Sequence, residues 1–337
     1  RWKTELPFPV QVVNRVGVVD LLTHGKFATE YSYHHGYWDG AEREFRGFAR
    51  VDARDTETFE RFNTSTSANF GSPSTGSGQS AQFTPGSGQD INTLNGTPAF
   101  EVNAVNYTPP IETRNWFYPG PVGIDFTHWH EVDFTHEYWQ GDDPVLERPN
   151  AMKELLKTLP RRAQRDALRT LRGTKLRSEN YALDGSDLQD KPYTITENQM
   201  SVRLEFDPQD VINSNPTGSQ AKLVETWLDA QGAYWAGFGY IFFPFSVGQR
   251  TSQYERGDDP MHSMSFTKDY DAYGQPSGQL SIGLPRGSTP QSGISGSYSA
   301  NQSNPIDYLA TYGETEYIYK DIPGGQYMVD RVKRSIS

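Results

Sequence analysis

The stretch "YSYHHGYWDGAEREFRGFARVDARDTETF", from Tyr31 to Phe59, constrains the fold more than any other part of the chain. Just ahead of it and into it, Phe27, Thr29, Tyr31 and Tyr33 alternate with Ala28, Glu30 and Ser32. This two-residue period belongs to a half-buried strand. Gly36, Asp39 and Gly40 interrupt the period, and a second run from Glu42 puts Phe45, Gly47, Ala49 and Val51 on one face. The pattern predicts a hairpin with long arms. The same stretch also resembles a catalytic cluster at first sight, because it holds two adjacent histidines and several carboxylates. Acid–base catalysis needs a carboxyl group whose pKa is raised by desolvation. Here Glu42, Arg43, Glu44 and Arg46 stand close enough in sequence to neutralise one another, so the run reads as a salt-bridged sheet face.

Strand character extends beyond the hairpin. "PVQVVNRVGVVDLL" supplies an apolar run before the turn at residues 23–26, so residues 1–62 read as strands. Residues 63–98 are almost entirely Ser, Thr, Gly, Gln, Asn and Pro, too poor in apolar surface to offset their ordering entropy. Strand-like sequence resumes afterwards, so the tract reads as a long loop insertion. Residues 99–150 form an extended, variable segment that includes "NYTPPIETRNWFYPGP". A helical hairpin follows at residues 151–173. Leu155, Leu156 and Leu159, then Ala163, Ala167, Leu168 and Leu171, recur at helical spacing, Pro160 can start the second helix and Gly173 can stop it. Residues 174–337 return to strands: "PYTITENQMSVRLEF" alternates, "AYWAGFGYIFFPFSV" is aromatic, and Tyr270-Asp271-Ala272-Tyr273-Gly274 has the make-up of a tight turn. The fold class is mainly β, with long antiparallel strands and a small helical insertion.

Bulk composition removes several functions. Forty-two acidic residues against 31 basic ones leave a net charge of −11, the wrong sign for a nucleic-acid partner. The helical hairpin is locally basic, from Lys153 through Arg177, but it lacks the third helix of a DNA-binding unit. A face paired with acidic neighbours is the expected reading. There is no cysteine, hence no disulfide or thiol chemistry. No apolar run approaches the roughly 18–20 residues of a membrane span, and the start of the chain has no signal-peptide core. Direct membrane insertion is therefore not expected. The chain reads as a piece of a longer polypeptide.

A collinear series of motifs carries a resemblance. "YHHGYWDGAEREFRGFARVDARDTE", "PPIETRNWFYPG", "LRGTKLRSENYALDG", "KPYTITEN", "YERGDDPMHSMSF", "YDAYGQ" and "TYGETEYIY" together resemble the middle region of the B component of bacterial Tc (ABC-type insecticidal) toxin complexes, related to Rhs or YD-repeat shell proteins. Two departures stand out: Tyr118 where the family usually has histidine, and Met261 where it usually has arginine. The resemblance implies a non-catalytic stretch of an Rhs-type cocoon shell. With the C component, such a shell encloses a cytotoxic effector that leaves through the A-component channel, docked by a propeller outside this chain. It also implies a secreted or extracellular complex and no cofactor.

Two rival readings rest on residues alone. In "FTHWHEVDFTHEYWQGDD", a strand presenting His128 and His130 on one face, joined by His136, would make a three-histidine metal site of a hydrolase. The HExxH order is absent, since His130-Glu131-Val132-Asp133-Phe134 lacks the second histidine. The Asp-Pro pairs continue as Val145-Leu146, Gln209-Asp210 and Met261-His262, none of which reproduces the autoproteolytic Asp-Pro-x-Gly-Leu of C components. No Gly-x-Ser-x-Gly, P-loop or Rossmann glycine series occurs. The second rival is a carbohydrate-binding β-module, because seven Trp and 19 Tyr can supply stacking platforms. Catalytic, cofactor-binding and metal residues are accordingly expected to be none.

Overall fold

The computed structural model describes residues 9–19, 26–55, 109–214, 217–225, 239–286, 309–321 and 325–337. The loop tract at 63–98 lies outside the described residues. Among them, eleven strands form one antiparallel sheet in which every hydrogen-bonded neighbour is also the next main-sheet strand in sequence. The order runs β1 (Arg15–Val19), β2 (Lys26–Asp39), β3 (Glu44–Asp55), β4 (Ile111–Phe117), β7 (Lys175–Ala182) and β8 (Thr194–Phe206). It continues through β9 (Ile241–Gln253), β10 (Met261–Tyr270), β11 (Pro276–Leu284), β12 (Leu309–Asp321) and β13 (Tyr327–Ile336). Between β4 and β7 the chain leaves the sheet for a two-stranded ribbon, β5 (Val122–Gly123) with β6 (Trp129–His130), a strap and two helices.

The long-armed hairpin stands at β2 and β3, with Tyr33 opposite Val51 and Asp39 opposite Glu44. Gly36 does not end the first arm, which continues to Asp39. Burial along β3 falls at Arg46, Ala49 and Asp52, every third residue, where strict alternation was expected. Gly47 takes φ +83° and the register with β2 shifts between Gly36 and Trp38, which changes the buried parity between Arg46 and Ala49.

Helices α1 (Asn150–Thr158) and α2 (Arg161–Arg169) follow Pro149 and Pro160. Pro160 forces Leu159 into an extended conformation, φ −88° and ψ 144°, which breaks one helical run into two. Gly173 ends the pair at φ +77°, and its N–H donates to the Tyr118 carbonyl at 2.8 Å. The apolar faces bury Met152, Ala163, Ala167, Leu168 and Leu171 against Val202 of β8 and Phe242 of β9. Two short helices were missing from the sequence reading: α3 (Pro208–Asn213) and α4 (Ser219–Glu225). The first carries a legible signal, since Asp207 accepts from the Gln209 N–H at 2.9 Å and Pro208 sits in the first turn.

The turn between β10 and β11 follows the expected chemistry. Asp271 Oδ1 accepts from the N–H groups of Tyr273 (2.8 Å) and Gln275 (2.9 Å), and Gly274 takes φ +81°.

Candidate functional site

Cross-strand register places one row of residues directly opposite one another over seven strands: His34, Arg50, Trp116, Arg177, Glu197, Arg250 and Met264. A parallel row runs Asp52, Arg114, Glu179, Ile195, Ser252 and His262. Sequence alternation along β8 holds as read, yet its inward residues include Glu197, Gln199 and Ser201, all buried. A polar inward face requires a polar cover, because an unpaired buried charge costs several kcal/mol. That cover is the strap, residues 131–149.

The strap inserts carboxylates into the rows at successive points. Glu137 reaches three strands: it accepts from Trp116 Nε1 at 3.1 Å and Arg50 Nη1 at 3.3 Å, and meets His35 Nε2 at 2.6 Å. Five residues on, Asp142 accepts from Arg177 Nη1 (2.8 Å), Arg250 Nη2 (3.2 Å) and the Tyr254 hydroxyl (2.7 Å). Glu197 accepts from Arg177 (2.6 Å), Arg250 (2.8 Å) and the strap's own Leu146 N–H (3.2 Å). Glu179 takes Arg177 Nε and the Tyr181 hydroxyl, each at 2.6 Å, and the Trp139 N–H at 3.0 Å. Arg177 therefore faces three carboxylates. Burial works against its charge, but Glu179, Asp142 and Glu197 together push its pKa further up. Burial also pushes the Glu197 carboxyl up, and Arg250 and Arg177 offset only part of that effect.

A second cluster fixes the helices. Asp39, Glu42 and Glu44 at the β2–β3 turn meet Arg165 (2.6 Å to Asp39, 2.9 Å to Glu42), Arg169 (3.0 Å to Glu44) and Arg172 (2.8 Å to Glu44). Arg46 pairs with Asp39 and donates to the Pro121 carbonyl at 2.6 Å. The expected local neutralisation holds only between Glu44 and Arg46, and the stronger pairs are made with distant partners. Glu44 and Arg46, two apart on one face of β3, pair at 3.8 Å, but the shorter contacts of Glu44 are to Arg169 and Arg172, and Arg46 turns to Asp39.

The three histidines proposed as metal ligands are not brought together. His128 pairs with Asp125 at 2.8 Å and is 74% exposed, His130 is exposed on the short β6, and His136 lies on a one-turn 3₁₀ helix 3.9 Å from Glu137. Between His128 and His130, Trp129 turns inward and is buried under Arg161. Among the described residues no group of three or more His, Asp or Glu is placed to hold a metal ion. Among them, too, no helix is long and apolar enough to cross a membrane.

The described residues thus define a class by fold: a strip of antiparallel sheet braced on one face by buried ion pairs. Residues 1–70 match the family model for the middle/N-terminal region of the insecticide toxin TcdB, and residues 166–216 match that for its middle/C-terminal region. No curated protein matches. Among solved structures, the TcdB2–TccC3–Cdc42 complex is 22% identical with a TM-score of 0.57, covering 98% of this chain and 13% of that one. The TcdB2–TccC3 complex has the same identity and TM-score, over 97% of this chain. The Photorhabdus luminescens Tc holotoxin pore is 21% identical with a TM-score of 0.50, covering 88% of this chain and 11% of that one. The likeness in sequence to the middle region of the insecticide toxin TcdB lies in those two segments, and over nearly its whole length the chain shares the fold of the solved structures. It spans about an eighth of the length of the chains it matches.

Proposed function

We propose that this chain is a non-catalytic section of shell wall in a Tc-toxin B component. With a C component it encloses a cytotoxic effector, which leaves through the A-component channel of an extracellular complex. The observation that carries this reading is the meander, in which each strand of the main sheet joins the next main-sheet strand from β1 to β13 and both outer strands keep an open edge among the described residues. Such a strip can lengthen only by adding strands at its ends, which is what building a wall requires. The residues from 63 to 98 are proposed as a loop excursion from this wall.

The test is co-expression of the full-length B chain that contains this section with a tagged C component. Co-purification is expected, with the effector segment resistant to added protease. A variant in which Asp39 and Asp142 become Asn should expose that segment by loosening the wall. A wild-type complex whose effector is cut as fast as the free effector would overturn the proposal. The non-catalytic part is checked by elemental analysis: about one zinc per chain, lost on His128→Ala or His130→Ala, would restore the hydrolase reading.

A further inference from the structure

Beneath the strap, against β7 and β8, lies a cavity of about 240 Å³ that is open to solvent on one side. The strap contributes Phe134, Tyr138 and Val145 to its walls, and the end of the helical hairpin, β7 and β8 contribute Leu171, Leu176 and Met200. Four charged residues also line it, two of each sign: Asp133 and Glu197, Arg148 and Arg177. Each already has a partner in the protein. Asp133 accepts from the Thr135 N–H at 2.9 Å, Arg148 pairs with Glu131, and Arg177 and Glu197 bond each other at 2.6 Å within the buried cluster.

The lining is therefore balanced in charge, and its ionic groups are engaged with one another or with the strap. An ion of either sign would shed its water on entry without gaining an unengaged counter-charge, which is unfavourable. A neutral, apolar ligand loses nothing by the same step and covers the aliphatic and aromatic walls. Volume sets its size. A cavity of about 150 Å³ lined by aliphatic and phenyl side chains holds benzene, so the larger space here has room for a second, fused ring. Phe134 and Tyr138 favour an aromatic ligand over an aliphatic one, because rings gain from edge and offset contacts with other rings.

We infer that this cavity is a binding site for a small neutral aromatic molecule of one or two fused rings, held between the strap and β8. A ligand seated there touches both sides, so it also opposes opening of the strap. The inference goes beyond the shell-wall reading and does not depend on it.

The test is calorimetry and saturation-transfer NMR on the full chain, with indole and toluene as probes and indole-3-acetate and tryptamine as charged controls. Saturable binding of indole with a Kd of about 1 mM or tighter is expected, and both charged controls should bind about tenfold more weakly or worse. With free indole at about ten times its Kd, amide exchange of residues 131–149 should slow about tenfold, while exchange of β12 and β13 stays unchanged. Val145→Asp, at a wall position that is already 37% exposed, brings a charge to the solvent side of the cavity and should weaken indole about tenfold or more. Met200→Trp, which fills the cavity from β8, should abolish binding. Circular dichroism checks that each variant folds, and if one does not, the other decides. No saturable binding of either probe, charged controls as tight as indole, strap exchange unchanged at saturation, or indole binding unchanged in the folded variants would overturn the inference and leave the cavity to ordered water.

Discussion

Arg177 stands in the first buried row and holds Asp142 of the strap, Glu179 of its own strand and of the second row, and Glu197 of the next strand. Arg177→Met should therefore destabilise by about 3–5 kcal/mol, the usual cost of leaving buried charges uncompensated. Urea denaturation measures it. Arg177→Met combined with Glu197→Gln should recover part of the loss, whereas additive losses would mean the two residues are not coupled. A glycine offers a second residue-scale test. A Cβ on Gly123 would lie 2.1 Å from the His128 carbonyl oxygen and 2.6 Å from Trp129 Cα, both backbone atoms, so Gly123→Ala must shift the β5–β6 ribbon. The expected cost is about 1–3 kcal/mol. Gly17→Ala, with nothing within 4 Å, is the control and should be near neutral. Equal midpoints for the two variants would refute the close approach.

Among the elements, the strap is the one whose attachment depends on ionisation. Burial alone would raise the Glu137 carboxyl, but hydrogen bonds from Trp116, His35 and Arg50, with the charge of His35, hold it below its ordinary value of 4.5. Glu131 follows the same logic, burial being outweighed by Arg148. Carboxylates lowered on folding contribute stability that is complete above 4.5 and is lost as pH falls through the lower folded value. Amide protection of residues 131–149, corrected for intrinsic exchange, should hold from neutral pH to about 5 and decline below 4.5, ahead of the sheet strands. Glu137→Gln should blunt that decline. Protection that falls only with global unfolding would show that the strap is not separately anchored.

The helical hairpin shows what element-scale reading of a sequence can reach. Two helices were legible because α1 and α2 repeat apolar residues at helical spacing and each begins after a proline. Their basic face was legible as one that seeks acidic neighbours. Which neighbours it finds, Asp39, Glu42 and Glu44, is decided by pairs more than 120 residues apart in the chain.

On the scale of the whole molecule, the sheet is unevenly covered. The strap and hairpin shield its centre, while β13 is exposed along nearly all its length, including Tyr327 at 68% and Val332 at 57%. At the other end, β1 exposes Val16 and Val18. Open, partly apolar edges template pairing with other chains. The isolated 337-residue chain should therefore associate in a concentration-dependent way in sedimentation experiments and become monodisperse when flanking B-component sequence and a C component are supplied. A monodisperse monomer at high concentration, not stabilised by those partners, would mean that the strip is self-contained.

Local chemistry determined the β class, the long hairpin, the two proline-led helices and the Asp271–Gly274 turn, because period, proline and glycine act over a few residues and need no distant partner. The collinear motifs likewise pointed to the toxin-complex family without any coordinates. Only the tertiary structure decided that the alternating residues of β8 turn their polar set inward, that Arg177 and Arg250 meet in one buried row, and that His128, His130 and His136 part company. Sequence alternation tells which residues share a face, but not what covers that face. The covering strap reaches Glu197 and Arg250 across some 50 and 105 residues, and only folding closes such distances.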